Sequence, residues 1–310
     1  MSVHIAVDIG GTHMRAAYYP AHSHEPLEHK KITTKHPSES AWERLVKLIT
    51  SIWPAGEEVA SIGVAAPGPL DPFSGVLFSA PNIHEWINLP LRKLLEDQFE
   101  VPIAVGNDAN LAALGEWKFG AGIGHKHLVY LTISTGIGGG VIIDNRLLVG
   151  TRGLTAEFGH VSVQPDGPLC GCGQRGHLEA LAAGPAIARW VETEIAQGVP
   201  SSLAKLAQFT TKQVAEAANQ GDDLAIRALN RAGNFIGRAL ADILHIFNPS
   251  IIIIGGGVSR SGDLLMHPIR KEMEARVMNP HYLDNLTLTT AALGDETGLL
   301  GALALARDIK

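Results

Sequence analysis

The two cysteines of the chain stand two residues apart, between two histidines that would complete a metal site. His160 lies ten residues before Cys170, and His177 lies five residues after Cys172. Two thiolates and two imidazoles form a complete tetrahedral ligand set for zinc. The pattern therefore predicts a structural zinc ion, with a metal-free loop that holds reduced thiols or a local disulfide as the alternative.

A glutamate stands at each end of this window, and a zinc ion with four ligands needs neither of them. Glu157 precedes the first histidine, and Glu179 follows the second. Carboxylate oxygens accept hydrogen bonds from hydroxyl groups, which suits a neutral polyol ring. Because a missing hydroxyl would strand a buried acceptor, such a pocket selects its ligand by hydroxyl geometry. We therefore expect the ion to shape a polar binding pocket.

Two glycine-rich turns stand at corresponding points of the two halves of the chain and indicate a phosphate site. The first runs from Asp8 to Thr12, and the second from Ser134 to Gly139. Glycine lets the backbone approach a ligand closely, and successive outward N–H groups form a concavity that binds anions. One such turn is more often a plain hairpin, but two at matched positions favour phosphate binding. The contributing residues are Gly10, Gly11, Thr12, Thr135, Gly136 and Gly138.

Asp8 is an acid beside the expected phosphates, an arrangement that makes sense only if a cation intervenes. Mg²⁺, held largely through water, is the natural choice. A third glycine turn follows a buried strand, and its Gly256 and Gly257 are either nucleotide contacts or packing residues. No turn fits the dinucleotide fingerprint GxGxxG ahead of a helix, and GxxxxGK[ST] is also absent, so an NAD-dependent oxidoreductase is disfavoured.

Asp108 is the candidate catalytic base. It follows the predicted strand Val101–Val105 and stands where a helix begins, between Asn107 and Ala109. Aspartate at this point is either an N-cap or a carboxylate that takes the proton of an attacking hydroxyl, as phosphoryl transfer requires. A helix N-terminus favours the ionised form, so the two roles are compatible.

The elements that position these residues follow one order twice. Each half opens on strand, glycine turn and strand, and continues with helices and strands. For the first half we predict strands over Val3–Ile9, Met14–Tyr19, Pro26–Thr34, Val59–Ala66 and Val101–Val105, a helix capped by Ser38 and a helix from Asp108. For the second half we predict a glycine turn over Thr135–Gly140, strands over His127–Ser134, Val141–Asp144, Leu147–Val149, Ile251–Ile254 and Leu286–Thr290, and helices over Asp222–Phe247 and Thr297–Arg307. The repeat predicts a duplicated α/β fold with mixed sheets and flanking helices, and a site in the cleft between the halves.

Composition indicates a soluble globular protein of two domains. The chain has 310 residues, of which 45% are hydrophobic and 18% charged, and its formal net charge is −6. It shows no basic patch for nucleic acid, no apolar run of the roughly 18–20 residues that span a membrane, and no signal peptide. One CxC pair is not a disulfide framework, so we expect a reducing, cytoplasmic setting.

Taken in order, these motifs resemble those of the ROK family, the sugar kinases and related repressors of the actin/hexokinase-like superfamily. Asp8–Thr12 resembles the family's first phosphate motif, Ser134–Gly140 the second, and Ile254–Ser259 the adenosine motif. The run from Ile133 to His160 fits the family signature. The resemblance covers essentially the whole chain. It implies two duplicated ribonuclease-H-like or actin-like domains around a cleft, an ATP-dependent sugar kinase, and a homodimer or tetramer.

The resemblance also implies roles for individual residues. Asp108 would be the base that deprotonates a sugar hydroxyl, and His160 would bind both the sugar and the zinc. The implied sugar-binding residues are Gly68, Asn82, Asn107, Asp108, Glu157, His160 and Glu179. The implied ATP-binding residues are Asp8, Gly10, Gly11, Thr12, Thr135, Gly136, Gly138, Gly256 and Gly257. The implied zinc ligands are His160, Cys170, Cys172 and His177, and the implied cofactors beside ATP are catalytic Mg²⁺ and structural Zn²⁺.

The implied domains are discontinuous. The N-terminal domain takes residues 1–118 and 297–310, with the first phosphate motif and the catalytic aspartate. The C-terminal domain takes residues 119–296, with the second phosphate motif, the zinc loop and the adenosine motif.

Two positions depart from the family pattern. His177 stands where the family has a third cysteine, which leaves a His₂Cys₂ set with less ligand charge. Leu154-Thr155-Ala156 stands where glycine and alanine are commoner, and its added bulk either tunes the pocket or is neutral.

An ATP-dependent sugar kinase is favoured over the other classes of function. Repressors of the family carry a DNA-binding segment ahead of the first phosphate motif, which here begins at Asp8 in a chain of negative charge. A sugar sensor that does not bind DNA is the other alternative. Ser79–Trp86 resembles the sugar-side loop of bacterial glucokinases, so we expect glucose to be phosphorylated at O6. N-acetylmannosamine, mannose, fructose and allose stay open as substrates.

Overall fold

A computed structural model describes residues 2–309 of the chain. These residues form two compact units. Unit 1 comprises residues 2–124, 140–155 and 292–309, and unit 2 comprises His125–Gly139 and Ala156–Ala291. The two domains predicted from the sequence differ from these units in that each was also given functional motifs. Those domains stay a prediction.

Strands and helices alternate along most of the chain. The strands are β1 (Ser2–Ile9), β2 (His13–Pro20), β3 (Glu28–Thr33), β4 (Glu58–Ala66), β5 (Leu70–Asp71), β6 (Val76–Ser79), β7 (Ile87–Leu89), β8 (Ile103–Asn107), β9 (Leu128–Ile133), β10 (Ile137–Ile143), β11 (Arg146–Leu147), β12 (Ile251–Gly255) and β13 (Thr287–Thr290). The helices are α1 (Ala41–Ser51), α2 (Leu91–Phe99), α3 (Asp108–Phe119), α4 (Leu178–Ala182), α5 (Gly184–Ala196), α6 (Thr211–Asn219), α7 (Asp223–Phe247), α8 (Asp263–Glu274) and α9 (Thr297–Arg307). Among the helices of residues 2–309, none combines the length and the apolar character needed to cross a membrane.

The sheet of unit 1 is mixed and has the strand order β3-β2-β1-β4-β8. β1 pairs antiparallel with β2 and parallel with β4, and β4 pairs parallel with β8. Because side chains alternate between the faces of a strand, Ile5 and Val7 of β1 pack with α1 and α2 on one face, while Ala6 packs with α3 and α9 on the other. On the second face the small side chains of Ala6, Ala17 and Ala65 allow α9 to pack close to the sheet. This packing supports the strands whose ends carry the predicted site.

A short antiparallel sheet, β5-β6-β7, was not predicted from the sequence. Its strands are two to four residues long, too short to show a hydrophobic period. The loop between β6 and β7 contains Asn82, and it is anchored by Ile83 and Trp86, which are only 2% exposed in the core of unit 1. The sheet therefore holds the predicted sugar-side loop in a defined place.

The other five-stranded sheet has the order β11-β10-β9-β12-β13. In unit 2, β12 lies between β9 and β13 and pairs parallel with both, with Gly255 opposite Thr132. The four isoleucines of β12 are at most 2% exposed, as expected for a strand covered on both faces. Its glycine-rich end therefore lies beside the end of β9.

Two local predictions were wrong. Helix α1 is capped by Ser40 rather than Ser38, because only Ser40 has a glutamate, Glu43, three residues later to complete a capping box. The second glycine turn covers only Ser134–Gly136, because β10 already begins at Ile137. Gly139 lies in this strand where a Cβ would collide with the ring of Phe158, so it serves packing rather than turning.

Candidate functional site

Three parallel strands of unit 1 end side by side and carry the polar residues of its predicted site. In the register of β1, β4 and β8, Asp8 lies opposite Ala65 and Ala66 lies opposite Asn107. Ligands of open α/β sheets bind beyond such carboxyl ends. Gly68 follows β4, and a Cβ added to it would lie 2.8 Å from Asn107 Nδ2, so these two residues are neighbours.

The carboxylate of Asp8 is paired with Arg15, a residue that the sequence analysis missed. Arg15 Nε donates to Asp8 Oδ2 at 3.0 Å, and Arg15 Nη2 donates to the same oxygen. Arg15 also donates to the carbonyl of Asp295 ahead of α9. The side chains of Asp8 and Arg15 are 14% and 19% exposed, so the pair is partly desolvated. The two residues face each other across the β1–β2 hairpin, which is the signal that would have found the pair.

The first glycine turn lies against the loop that carries Asn82. A Cβ added to Gly11 would lie 2.5 Å from Asn82 Cβ, so only glycine permits this approach. Gly10 closes the turn, since its N–H donates to the His13 carbonyl at 2.9 Å. Thr12 is exposed beside them. Unit 1 thus brings together the predicted phosphate turn and a predicted sugar-binding residue.

Asn107, not Asp108, is the N-cap of α3. Asn107 Oδ1 accepts from Ala109 N–H at 3.0 Å, Asn110 N–H at 3.1 Å and Asn110 Nδ2 at 3.2 Å. Three donors on the oxygen fix the amide orientation and leave its NH₂ group for a ligand. Asp108 is the exposed first residue of the helix, where the helix N-terminus favours its ionised form. The capping role considered for Asp108 is therefore filled by its neighbour.

The second glycine turn lies in unit 2, beside the glycine-rich end of β12. Ser134 N–H donates to the Gly136 carbonyl at 2.8 Å, and Gly184 N–H donates to the Ser134 carbonyl at 2.8 Å. Gly256 has a φ of +83°, and a Cβ on it would collide with the carbonyl of Ile133. Glycine is thus required for β9 and β12 to end this close together. Gly138 lies beyond the turn, inside β10.

A pocket of about 760 Å³ opens beside this turn, within the size range of small-molecule sites. The residues that begin α5 and α6 line it, and helix N-termini are favourable places for anions. Three basic side chains, Arg189, Lys212 and Arg260, also line it. The remaining lining residues are Ser134, Thr135, Gly184, Pro185, Ala188, Glu192, Phe209, Thr210, Thr211, Ala215, Glu216, Asn219, Gly257, Val258 and Ser261. Of the predicted ATP-binding residues, Thr135 and Gly257 line this pocket.

The four predicted zinc ligands converge in unit 2. The donor atoms of His160, Cys170, Cys172 and His177 all lie within 4.8 Å of one another. Cys170 Sγ lies 3.7 Å from His160 Nδ1, and Cys172 Sγ lies 3.2 Å from His177 Nδ1. Both cysteines are free thiols in the structure. Burial raises the pKa of the Cys170 thiol, and a bound cation would act in the opposite direction.

Glu179 lies between this cluster and the second glycine turn. Its Oε1 is 3.9 Å from the sulfur of Cys170, and its Oε2 accepts from Ile137 N–H at 2.9 Å. The residue stands in the first turn of α4, and His177 is the N-cap of the same helix. The helix therefore carries one predicted zinc ligand and one predicted sugar ligand.

Glu157 precedes a short 3₁₀ turn over Phe158–His160, and His160 N–H at the end of the turn donates to the Glu157 carbonyl at 3.0 Å. Ala156, just before them, has a φ of +61°, a conformation that favours glycine. The segment Leu154-Thr155-Ala156 therefore carries local backbone strain next to the predicted sugar ligands.

The ROK family pattern matches residues 4–309 of the chain. Glucokinase of Thermotoga maritima is 37% identical over 312 residues, which cover 98% of this chain and 97% of that protein. A ROK family glucokinase of Streptomyces griseus, solved in complex with glucose and AMPPNP, has a TM-score of 0.85 at 36% identity and covers 99% of this chain and 100% of its own. The xylose repressor of Caldicellulosiruptor bescii is 32% identical over 250 residues, which cover 80% of this chain but 62% of the repressor.

Proposed function

The chain belongs to the ROK family, and from this premise we propose that it is a sugar kinase that transfers the γ-phosphoryl group of ATP to O6 of glucose. The observation that carries the proposal is the similarity, at 37% identity and over nearly the whole of both chains, to a glucokinase. The site residues described above are consistent with what phosphoryl transfer needs, namely an exposed carboxylate at a helix N-terminus and glycine turns where the backbone can approach phosphate closely.

In this proposal Asp108 is the general base. Its carboxylate takes the proton of the sugar hydroxyl as the hydroxyl oxygen forms a bond to the γ-phosphorus. The bond between that phosphorus and the bridging oxygen breaks, and ADP leaves. Asn107 turns its NH₂ group toward the ligand, because its oxygen is occupied by three donors. We assign it to hold a sugar hydroxyl. Gly68, Asn82, Glu157, His160 and Glu179 are the further sugar-binding residues that we propose.

The nucleotide is assigned to the two glycine turns and the pocket of unit 2. Thr135, Gly136, Gly256 and Gly257 would contact it there, and Gly138 would act only by shaping β10. Asp8, Gly10, Gly11 and Thr12 would meet the phosphates. Nε and Nη2 of Arg15 both donate to Oδ2 of Asp8. Oδ1 is therefore able to accept a hydrogen bond from a water molecule on Mg²⁺. That ion, when bound, neutralises charge on the phosphates.

Zinc fits the four-residue cluster of unit 2. Zinc–sulfur bonds of about 2.3 Å and zinc–nitrogen bonds of about 2.0 Å place tetrahedral ligands roughly 3.3–3.8 Å apart. The observed sulfur–nitrogen distances of 3.7 and 3.2 Å are close to that range. We propose that His160, Cys170, Cys172 and His177 hold a structural ion, with His177 in place of the family's third cysteine. The ion would fix the ring of His160, whose other nitrogen then faces the sugar.

We also propose a homodimer, with a tetramer as the alternative, because the family resemblance implies this assembly. We propose a cytoplasmic location, because one CxC pair is not a disulfide framework.

The test is a coupled assay with Mg-ATP across hexoses and N-acetylhexosamines, run in parallel with other phosphate donors. We expect glucose to give the highest kcat/KM, and ATP to be an effective donor. A higher kcat/KM with N-acetylmannosamine, mannose, fructose or allose would reassign the substrate. Glucose binding with no turnover of any sugar would instead favour a sugar sensor, a candidate that the similarity to a xylose repressor keeps open.

A further inference from the structure

The carboxylate of Glu179 contacts two segments of unit 2, and the proposed function assigns these segments to different ligands. Oε1 faces the zinc loop at Cys170, and Oε2 accepts the Ile137 N–H at the start of β10. Gly136 has no room for a side chain, because an added Cβ would lie 2.5 Å from Oε2. The carboxylate thus lies directly against the turn that is assigned to phosphate.

The bond to Ile137 sets the shape of that turn. A hydrogen bond to a charged acceptor is roughly twice as strong as one between neutral groups. It fixes the peptide that follows Gly136, whose carbonyl also accepts from Ser134 N–H, while the bond from Gly184 N–H to the Ser134 carbonyl fixes the peptide before Thr135. Thr135 and Gly136 are therefore held between supports on both sides, and Glu179 provides one of them.

The other oxygen is the one left for the sugar. Oε1 lies 3.9 Å from the Cys170 sulfur, a longer contact than the 2.9 Å bond that Oε2 accepts. In the proposed function Oε1 accepts a hydrogen bond from a sugar hydroxyl. A hydroxyl on Oε1 would restrict the side chain and thereby hold Oε2 more firmly against Ile137.

We propose that Glu179 is a positioning residue for the nucleotide, in addition to its role toward the sugar. Through Oε2 it holds the phosphate turn in the shape that binds ATP, and a sugar on Oε1 strengthens this hold. Sugar and nucleotide then bind with positive coupling, in which each raises the affinity for the other by the same factor. The inference rests on the proposed function for the identity of the two ligands.

The test is titration calorimetry of zinc-loaded protein with Mg-AMPPNP, with and without glucose. In the wild type we expect glucose to raise the affinity for Mg-AMPPNP. Glu179→Ala removes both oxygens, so Mg-AMPPNP binding without glucose should weaken about tenfold, the loss of one charge-assisted hydrogen bond. The effect of glucose on that affinity should also disappear.

Two further variants separate this role from general damage. Glu157→Ala removes the same charge from the sugar side, and no hydrogen bond from its side chain to the turn is described in residues 2–309. It should lose glucose affinity but keep its affinity for Mg-AMPPNP. Glu179→Gln retains one oxygen for Ile137 N–H, so it should bind Mg-AMPPNP within about threefold of the wild type while its glucose affinity falls. Circular dichroism and zinc content provide the folding control for all three variants.

Wild-type affinity for Mg-AMPPNP in Glu179→Ala, or an equal loss in Glu157→Ala, would overturn the proposal. If the alanine variant does not fold, the glutamine variant decides, since losing both affinities by the same factor would overturn it as well. A wild-type protein that binds no Mg-AMPPNP would overturn the proposed function itself, and this inference with it.

Discussion

The two glycine turns of the molecule follow the same plan but are supported from different places. In the first turn, the carboxylate comes from Asp8, the residue before the last of β1, and it pairs with Arg15, which stands opposite in β2. In the second turn, the carboxylate comes from Glu179, 42 residues along the chain from Ile137. The carboxylate of the first turn is therefore paired within its own hairpin, whereas that of the second comes from α4, whose N-cap is the predicted zinc ligand His177. In our proposal the second turn is the one that responds to a ligand.

Asp108→Asn is the largest expected effect, because it removes the chemistry and leaves both turns intact. The asparagine keeps an oxygen for Ala109 N–H, and the helix cap is supplied by Asn107, so α3 should be preserved. We expect kcat to fall by at least about 10²–10³-fold, the size of a general-base contribution. Steady-state kinetics measures this, with glucose and Mg-AMPPNP affinities as the control. Near-normal turnover would remove Asp108 from the mechanism.

Cys172→Ser tests the predicted zinc site, which lies beside the Glu179 carboxylate that supports the second turn. A serine oxygen is a poor replacement for a thiolate, so zinc should fall from about one ion per chain to a small fraction. We expect a lower melting temperature and a glucose KM raised by roughly tenfold, because metal binding contributes folding energy. His177→Cys is the matched variant, since it restores the family's ligand set and should retain zinc. Elemental analysis and thermal melting measure both. A wild-type protein that is folded, active and free of zinc would contradict the metal assignment.

Arg15→Met tests the support of the first turn and is the smallest of these effects. The partly buried Asp8 loses its paired cation, and we expect kcat/KM for Mg-ATP to fall about tenfold, the equivalent of one charge-assisted bond. Arg15→Lys keeps the charge but not the fork of donors, so its loss should be smaller. Zinc content should be unchanged in both, because the pair is local. Kinetics with ATP as the varied substrate measures the effect, and a change in glucose KM alone would contradict it.

Much of the fold was predictable because its signals are local. Helix α9 was predicted with its observed bounds, and α7 to within one residue. Helix α7 carries a long apolar pattern of helical period, and α9 is a run of leucine, alanine and glycine that is buried on nearly all sides. The strands of β5-β6-β7 were missed because two to four residues show no period. The Ser38 cap and the long second glycine turn were wrong, although the capping box at Ser40 was visible in the sequence.

The candidate site was predictable where a motif carries it and unpredictable where tertiary packing does. The four predicted zinc ligands lie close in sequence and were predicted together, and the structure brings their donor atoms within 4.8 Å of one another. Arg15 becomes visible only once the hairpin register pairs it with Asp8. The bond from Glu179 to Ile137 joins residues 42 positions apart, so no local pattern contains it. The same is true of the pocket formed by α5 and α6.

The measurement that tests the account most directly is identification of the product by phosphorus NMR. Purified protein is incubated with glucose and Mg-ATP, beside the Asp108→Asn variant. The account predicts that the wild type forms glucose 6-phosphate and ADP in equal amounts, and that the variant forms neither at a comparable rate. ADP formation that does not require glucose, or phosphate on a hydroxyl other than O6, would contradict it.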